Sequence, residues 1–374
     1  MLVNSEQAVA DRYRTFSWQQ ARGQSDAYEE LTARISQDAD FCDHLSRSLP
    51  AGNKQQPNLL LAAVRYLDGP YAEQGPRGDA AYRGWREWTL RHWDEVRDVV
   101  MRRSTQTNEP ARCATLLPLL LRLPQPLALI EVGASAGLCL YPDRYRYRYD
   151  DRTEFGAPDS AAVFPCRTNP GTPVPDRLPD IAWRAGVDLN PLDPADPEDI
   201  RWLQALIWPA ATDERARRQL AAVEAVRTAP RAKVVRGDLV DELPALAAQA
   251  PPEATLVVFH TAVLTYLPLE RRERFAEVVR NVLAGRARPG HWVSNEHHSV
   301  LPWIPTPATH RAERQAGPQT GHRAGHQAGS QTSHRAGPRA APRPRPDGEH
   351  LLTLALDERP VALTGQHGQS VHWL

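Results

Sequence analysis

Apolar positions along this chain fall into two regimes. From Val9 to about Leu123 they recur at helical spacing: Ala27, Leu31 and Ile35, then Phe41 and Leu45, then a stretch from Leu59 to Tyr66 and another from Trp85 to Val100. That spacing gathers apolar side chains on one helix face and predicts an all-helical segment over residues 1–125. Ser25-Asp26 supplies a capping start ahead of Tyr28 and Leu31. A later helix is predicted to begin near Asn108-Glu109-Pro110, since proline suits a first turn, and to run toward Leu121 unless Pro118 kinks or ends it. The polar group Gln106-Thr107-Asn108-Glu109 just before it reads as a cap plus turn.

From Leu127 onward, short apolar runs alternate with helical stripes. Leu127 to Val132, Ile181 to Val187, Ala232 to Val235, Thr255 to Phe259 and Trp292 to Ser294 read as strands. Helices are predicted from Pro197-Glu198-Asp199 through Trp202, Leu203, Leu206 and Ile207, over Asp213 to Arg227, over Leu243 to Ala248, and over Arg271 to Leu283. Strand alternating with helix implies an α/β core over residues 126–305, doubly wound, with a mostly parallel sheet covered on both faces. An excursion at 141–181 interrupts it. Its first part, Tyr141 to Tyr149, alternates aromatic and cationic residues and predicts a half-buried edge strand; the remainder, rich in Pro, Asp and Gly, reads as irregular. Residues 306–346 are of low complexity, with His-Arg-Ala-Gly recurring at His322 and His334, and cannot bury a core; the expectation is disorder. Structure is predicted to return over 347–374 as a hairpin, Leu351 to Leu356 and Val361 to Leu363, extended by Val371 to Leu374.

Composition narrows the partners. Cationic and anionic side chains balance at 45 each, so no global field draws the chain to nucleic acid or to a membrane surface. No apolar run approaches the roughly 20 residues a membrane span needs, and no basic segment followed by an apolar core marks an export signal. The four cysteines, Cys42, Cys113, Cys139 and Cys166, are scattered without a Cys-x-x-Cys pair. The expectation is a cytoplasmic, reduced, soluble protein acting on a small molecule, without nucleic-acid or membrane partners.

Candidate chemistry gathers at the strand ends, where open parallel sheets hold ligands. Val132 is followed by Gly133-Ala134-Ser135-Ala136-Gly137. Small residues there let the backbone turn sharply and begin a helix whose N–H groups point outward. Such a turn serves either a nucleotide-type cofactor, with Glu131, Gly133, Ser135 and Gly137 around it, or a Gly-x-Ser-x-Gly elbow with Ser135 as nucleophile. On the first reading Asp188 takes ribose hydroxyls, Asp238 accepts from an adenine amino group, and His260 or Glu296 acts as base with Tyr266 nearby. The second reading needs an acid such as Asp238 or Glu296 and a later His260 or His367. It is opposed by the helices upstream of Leu127 and by the lack of a His-Gly-Gly segment. A third reading is a binding protein of the same fold without catalysis. His297 and His298 lack further ligands at metal spacing, so no metal is expected.

The order of these elements resembles a class I S-adenosylmethionine-dependent methyltransferase core, whose acidic-x-Gly-x-Gly-x-Gly motif here reads Glu131-Val132-Gly133-Ala134-Ser135-Ala136-Gly137, with serine at the middle glycine. More closely, the segments TQTNEPARC, EVGASAGL, GVDLNPLD, RWLQALIWP, VVRGDL and VVFHTAVLTYL resemble the bacterial family known as domain of unknown function 2332. The first resemblance implies S-adenosylmethionine as cofactor. The interval from Glu131 to Asp188 exceeds the roughly 20 residues usual between glycine loop and ribose carboxylate, so the excursion must be looped out.

Overall fold

The computed structural model describes residues 5–70, 77–106, 108–209, 214–306 and 351–374. Seven helices come first: α1 (Ser5–Phe16), α2 (Asp26–Ile35), α3 (Ala39–Ser48), α4 (Pro57–Tyr66), α5 (Gly78–Arg91), α6 (Trp93–Arg102) and α7 (Arg112–Leu120). Strand β1 (Leu127–Val132) follows, then β2 (Arg146–Tyr149), β3 (Phe155–Gly156), β4 (Val163–Thr168) and β5 (Ile181–Asp188). Helices α8 (Pro197–Ala205) and α9 (Glu214–Arg227) lead to β6 (Lys233–Arg236), α10 (Leu239–Ala247), β7 (Thr255–Thr261), α11 (Leu269–Ala284) and β8 (His291–Glu296). The strands β9 (Leu351–Leu356), β10 (Arg359–Gly365) and β11 (Ser370–Trp373) come last.

The eleven strands of the described residues form one sheet in the order β3-β2-β4-β11-β10-β9-β8-β7-β1-β5-β6. The pairs among β6, β5, β1, β7 and β8 are parallel, and β8, β9, β10 and β11 pair antiparallel in succession. From β1 the chain goes to β5 and β6 on one side, then returns to β7 and β8 on the other. The winding reverses between β1 and β7, and the crevice beyond their carboxyl ends is where such a sheet leaves room for a ligand.

Every residue of β1 and of β7 is buried, as expected of strands covered on both faces. Leu127 and Leu129 turn toward a core that reaches from Val9 in α1 through α7, α8 and α9 to Val371, while Ala128, Ile130 and Val132 pack against Leu243 and Leu246 of α10 and Phe275 and Val279 of α11. The N-terminal helices therefore share one core with a face of the sheet. No described helix is long and apolar enough to cross a membrane.

Several elements differ from the pattern-based expectation. Ser25 does cap α2, accepting from Tyr28 N. The excursion is more regular than its composition suggests: β3 and β4 join the sheet beyond β11, and Tyr145, Tyr147 and Tyr149 are buried while Arg148 is exposed. Helix α7 starts at Arg112 and continues past Pro118. A proline inside a helix leaves the carbonyl four residues earlier without its donor. That carbonyl, Ala114 O, instead accepts from the Tyr149 hydroxyl at 2.6 Å. The tract around His322 and His334, and nearly all of 306–346, lies outside the described residues, as does Thr107.

Candidate functional site

The bend after β1 is built by small residues and tied down by its neighbours. Gly133, Ser135 and Gly137 have φ of 72°, 51° and 70°. Glycine adopts that region freely; serine does so at some cost. On β5, a Cβ at Gly186 would stand 2.7 Å from Ala134 Cβ, so the bare backbone there lets the loop fold down onto the strand. Gly133 N and Ala134 N donate to Val187 O at 2.8 and 3.1 Å, and Gly137 N donates to Ala134 O at 2.7 Å. Leu138 N donates to Asn108 Oδ1 at 2.9 Å. The helix expected to start here is absent; single turns at Leu138–Leu140 and Pro142–Arg144 take its place. The left-handed Gly137 and the capture of Leu138 N by Asn108 explain why: the donors that a helix start would aim outward are turned to protein partners. Over the loop lies Val263, whose side chain a Cβ at Gly133 would meet at 2.5 Å.

Asp188, at the end of β5, reaches this loop. Its Oδ2 accepts from Ser135 N at 2.8 Å, and its Oδ1 accepts from Asn190 N at 2.7 Å and Gln106 Nε2 at 3.2 Å. Asp188 follows Val187 on β5, so it shares a sheet face with Glu131, the residue after Ile130 on β1. Glu131 is 2% exposed, and its Oε2 has no partner, nor does the buried Ser135 Oγ. Burial first, then Cys139 and Asp188, push the Glu131 carboxyl well above the usual range, against a downward pull from Arg112.

Beside Glu131 stand groups whose sequence pattern reads as a cap and turn. Gln106 also donates to Asn190 O at 2.7 Å, and Asn108 O accepts from Gln219 Nε2 at 3.2 Å. Glu109, 4% exposed, receives Arg215 Nε on its Oε2 at 2.5 Å. Arg112, 5% exposed, donates to Gln366 O and Thr261 O, each at 2.9 Å, joining the β10–β11 turn to the end of β7. This segment is a tertiary clamp onto the end of β5, α9, the end of β7 and the β10–β11 turn. Its only trace in the sequence is the density of hydrogen-bonding side chains before α7; nothing there marks Arg112 among so many arginines.

His260 and Glu296 meet on the opposite face. His260 is fully buried, with Nδ1 2.7 Å from Glu296 Oε1 and Nε2 accepting from Trp292 Nε1 at 3.1 Å. An indole N–H only donates, so the imidazole proton sits on Nδ1 and points at the carboxylate. Both ring nitrogens are thereby committed. Glu296 Oε1 also accepts from Val263 N at 2.8 Å and Leu264 N at 3.0 Å, while its Oε2 is buried without a partner. Glu296 lines a small pocket with His297, His298, Leu301 and Thr353. The pair anchors the loop that carries Val263 over Gly133, and Ala262 in that loop has a φ of 55°.

A family model described as "Uncharacterized protein conserved in bacteria (DUF2332)" matches residues 10–373. The chain belongs to this family. No curated protein matches it. In this DUF2332 chain the residues expected to form one site are divided: Glu131, Ser135 and Asp188 lie on the face of the N-terminal helices, and His260 and Glu296 on the face of α10 and α11. Asp238 is the N-cap of α10, its Oδ1 accepting from Val240 N at 2.8 Å and pairing with Arg271 at 2.6 Å. Tyr266 is 68% exposed as a residue, yet protein crowded around it raises its pKa, with Arg112 and Glu296 the charges that reach it. Ser135 Oγ has no imidazole partner, so the arrangement that a serine hydrolase needs is not assembled in this DUF2332 structure.

Proposed function

We propose that this protein binds S-adenosylmethionine at the β1/β7 crevice and transfers its methyl group to a small molecule. The observation that carries the reading is a pair of orphaned polar atoms, Glu131 Oε2 and Ser135 Oγ, buried at the winding reversal beside Asp188. Buried polar atoms without partners are rare in native folds and mark places where a ligand or water completes the bonding. The parallel strand order, third-second-first-fourth-fifth in chain order, is that of doubly wound nucleotide-binding sheets.

The residues fit the cofactor's two polar ends. Glu131 and Ser135 offer an acceptor and a hydroxyl to its amino-acid end, within the field of Arg112. Asp188 offers acceptors to ribose hydroxyls by giving up its weakest bond, the one to Gln106 at 3.2 Å. Once bound, the cofactor supplies an electrophilic methyl group. The protein's part is then orientation. Tyr266, exposed at the crest, offers its phenol O–H as a hydrogen-bond donor to substrate. Glu296 and His260, on the other face of the sheet, act from beneath by fixing the loop that carries Val263 over Gly133, and leave the substrate's proton to solvent. His260 is thus a positioning residue, since neither of its nitrogens is open.

The test is a thermal-shift and calorimetric titration with S-adenosylhomocysteine. At a hundredfold excess over Kd, binding stabilises by about 2.7 kcal/mol, and Asp188→Asn reduces the shift while retaining the native circular dichroism. A flat titration of folded protein sinks the reading. A second reading, binding without turnover, draws on Val263 over Gly133 and on the loop's committed N–H groups. It predicts S-adenosylhomocysteine binding with no methyl transfer to any candidate in a small-molecule extract.

A further inference from the structure

Between the first turn of α9 and the β10–β11 turn lies a cationic cluster of which only Arg112 also reaches the proposed cofactor site. Arg215 and Arg218 project from α9, His367 sits in the β10–β11 turn, and Arg112 reaches the same turn through Gln366 O. Two carboxylates are bonded to these three guanidiniums, and a third, Glu131, faces Arg112 with its own pKa raised. Glu109 is buried and bonded to Arg215; Glu214 pairs with Arg218 at 2.7 Å from an exposed position. Positive charge is left over. Two nitrogens in the cluster, Arg218 Nε and His367 Nδ1, are buried and have no hydrogen-bond partner. The turn is seated on the start of α7: a Cβ at Gly368, with φ of 80°, would fall 2.1 Å from Ala111 O, so backbone packs directly on backbone there.

We propose that Arg215, Arg218 and His367, in the field of Arg112, form a binding site for the oxyanion group of a small molecule, a phosphate or a carboxylate. Guanidinium N–H groups match either oxyanion through paired donors. The side chains of Arg215 and Arg218 keep 27% and 25% of their surface exposed, so an anion can approach from solvent. His367 fits this account. Burial first, then Arg215 and, less strongly, Arg112 and Arg218, push its imidazole down to about 3, while Glu109 pulls the other way. The ring is an uncharged neighbour until an anion arrives to offset the arginines. A structural role alone requires no excess of positive charge and no unpaired nitrogens, since Glu109 already has Arg215.

The site is independent of methyl transfer, and its test uses no adenosyl compound. Full-length protein is titrated calorimetrically with inorganic phosphate and, in a separate arm, with citrate, at constant ionic strength. The expected result is saturable 1:1 binding of at least one of them with a Kd of about 1 mM or tighter; which arm binds tells phosphate from carboxylate. Arg218→Gln is expected to weaken that binding about tenfold or more with an unchanged melting temperature, because its ion pair with Glu214 is at the surface. In the nuclear magnetic resonance titration of the imidazoles, phosphate or citrate should move the His367 pKa upward. Absence of binding in both arms, or equal affinity in wild type and Arg218→Gln, overturns the proposal. Neither result bears on the response to S-adenosylhomocysteine, so the two readings fail separately.

Discussion

Glu109 and Glu131 are buried to nearly the same degree, 4% and 2% exposed, and both feel Arg112, yet their acidities move in opposite directions. Burial raises both. For Glu109 that push is outweighed by Arg215, bonded to it, whereas Glu131 has no cation bonded to it and lies near Asp188. The linkage signs follow. Glu131 has a folded pKa above its unfolded one, so its contribution is complete below about 4.5 and is lost as pH rises through the raised value. Glu131→Gln should therefore gain on wild type as pH rises above about 4.5, by about 1.4 kcal/mol per pH unit at most, as read by urea denaturation. A gap that does not change with pH sinks that assignment. Glu109, with a lowered folded pKa, stabilises above its unfolded value and loses the contribution as pH falls; Glu109→Gln should cost about 3 kcal/mol at pH 7 and less in acid. Of these residues, Glu131 and Asp188 were legible because strand ends can be counted from an apolar run. Arg112 and Glu109 were not, because their partners, Gln366 and Arg215, lie far off in sequence and pattern reading sees only neighbours.

Among elements, α7 shows how a local rule is overridden. Pro118 removes the donor for Ala114 O, and Tyr149 of β2 replaces it. Tyr149→Phe should cost about 1–2 kcal/mol by leaving that carbonyl bare. In a Pro118→Ala background the helix regains its own N–H, and the same change should cost clearly less. Equal costs in the two backgrounds, by chemical denaturation of all four proteins, would show that the hydroxyl does not serve the carbonyl. The alternating Tyr and Arg of β2 was readable from its period of two, and so were the core strands and the three closing strands. The missing helix after Gly137 was not, because it depends on Asn108 arriving from another element to take Leu138 N. Composition likewise concealed β3 and β4, whose order comes from sheet partners and not from their own apolar pattern.

For the whole molecule, the shared core has a thermodynamic consequence. Val9, Leu60, Leu117, Leu129, Trp202 and Val371 belong to one apolar cluster, so the helices and the sheet should unfold together. Calorimetry is expected to give a single transition with matching calorimetric and van't Hoff enthalpies; two separated transitions would mean that the helical part is an independent unit. One more consequence lies in the placement of β11. The last of the described strands in chain order, β11, lies inside the sheet, between β10 and β4, and it secures Asn169 to Trp373 across 204 positions. During synthesis, β2, β3 and β4 must wait as a fragment with an open edge until β11 arrives to join them to the rest. Closing so long a loop is slow, and an unpaired edge invites intermolecular pairing in the meantime. A chain cut before Ser370 should thus be markedly more prone to aggregate, and more dependent on chaperones, than one that includes β11.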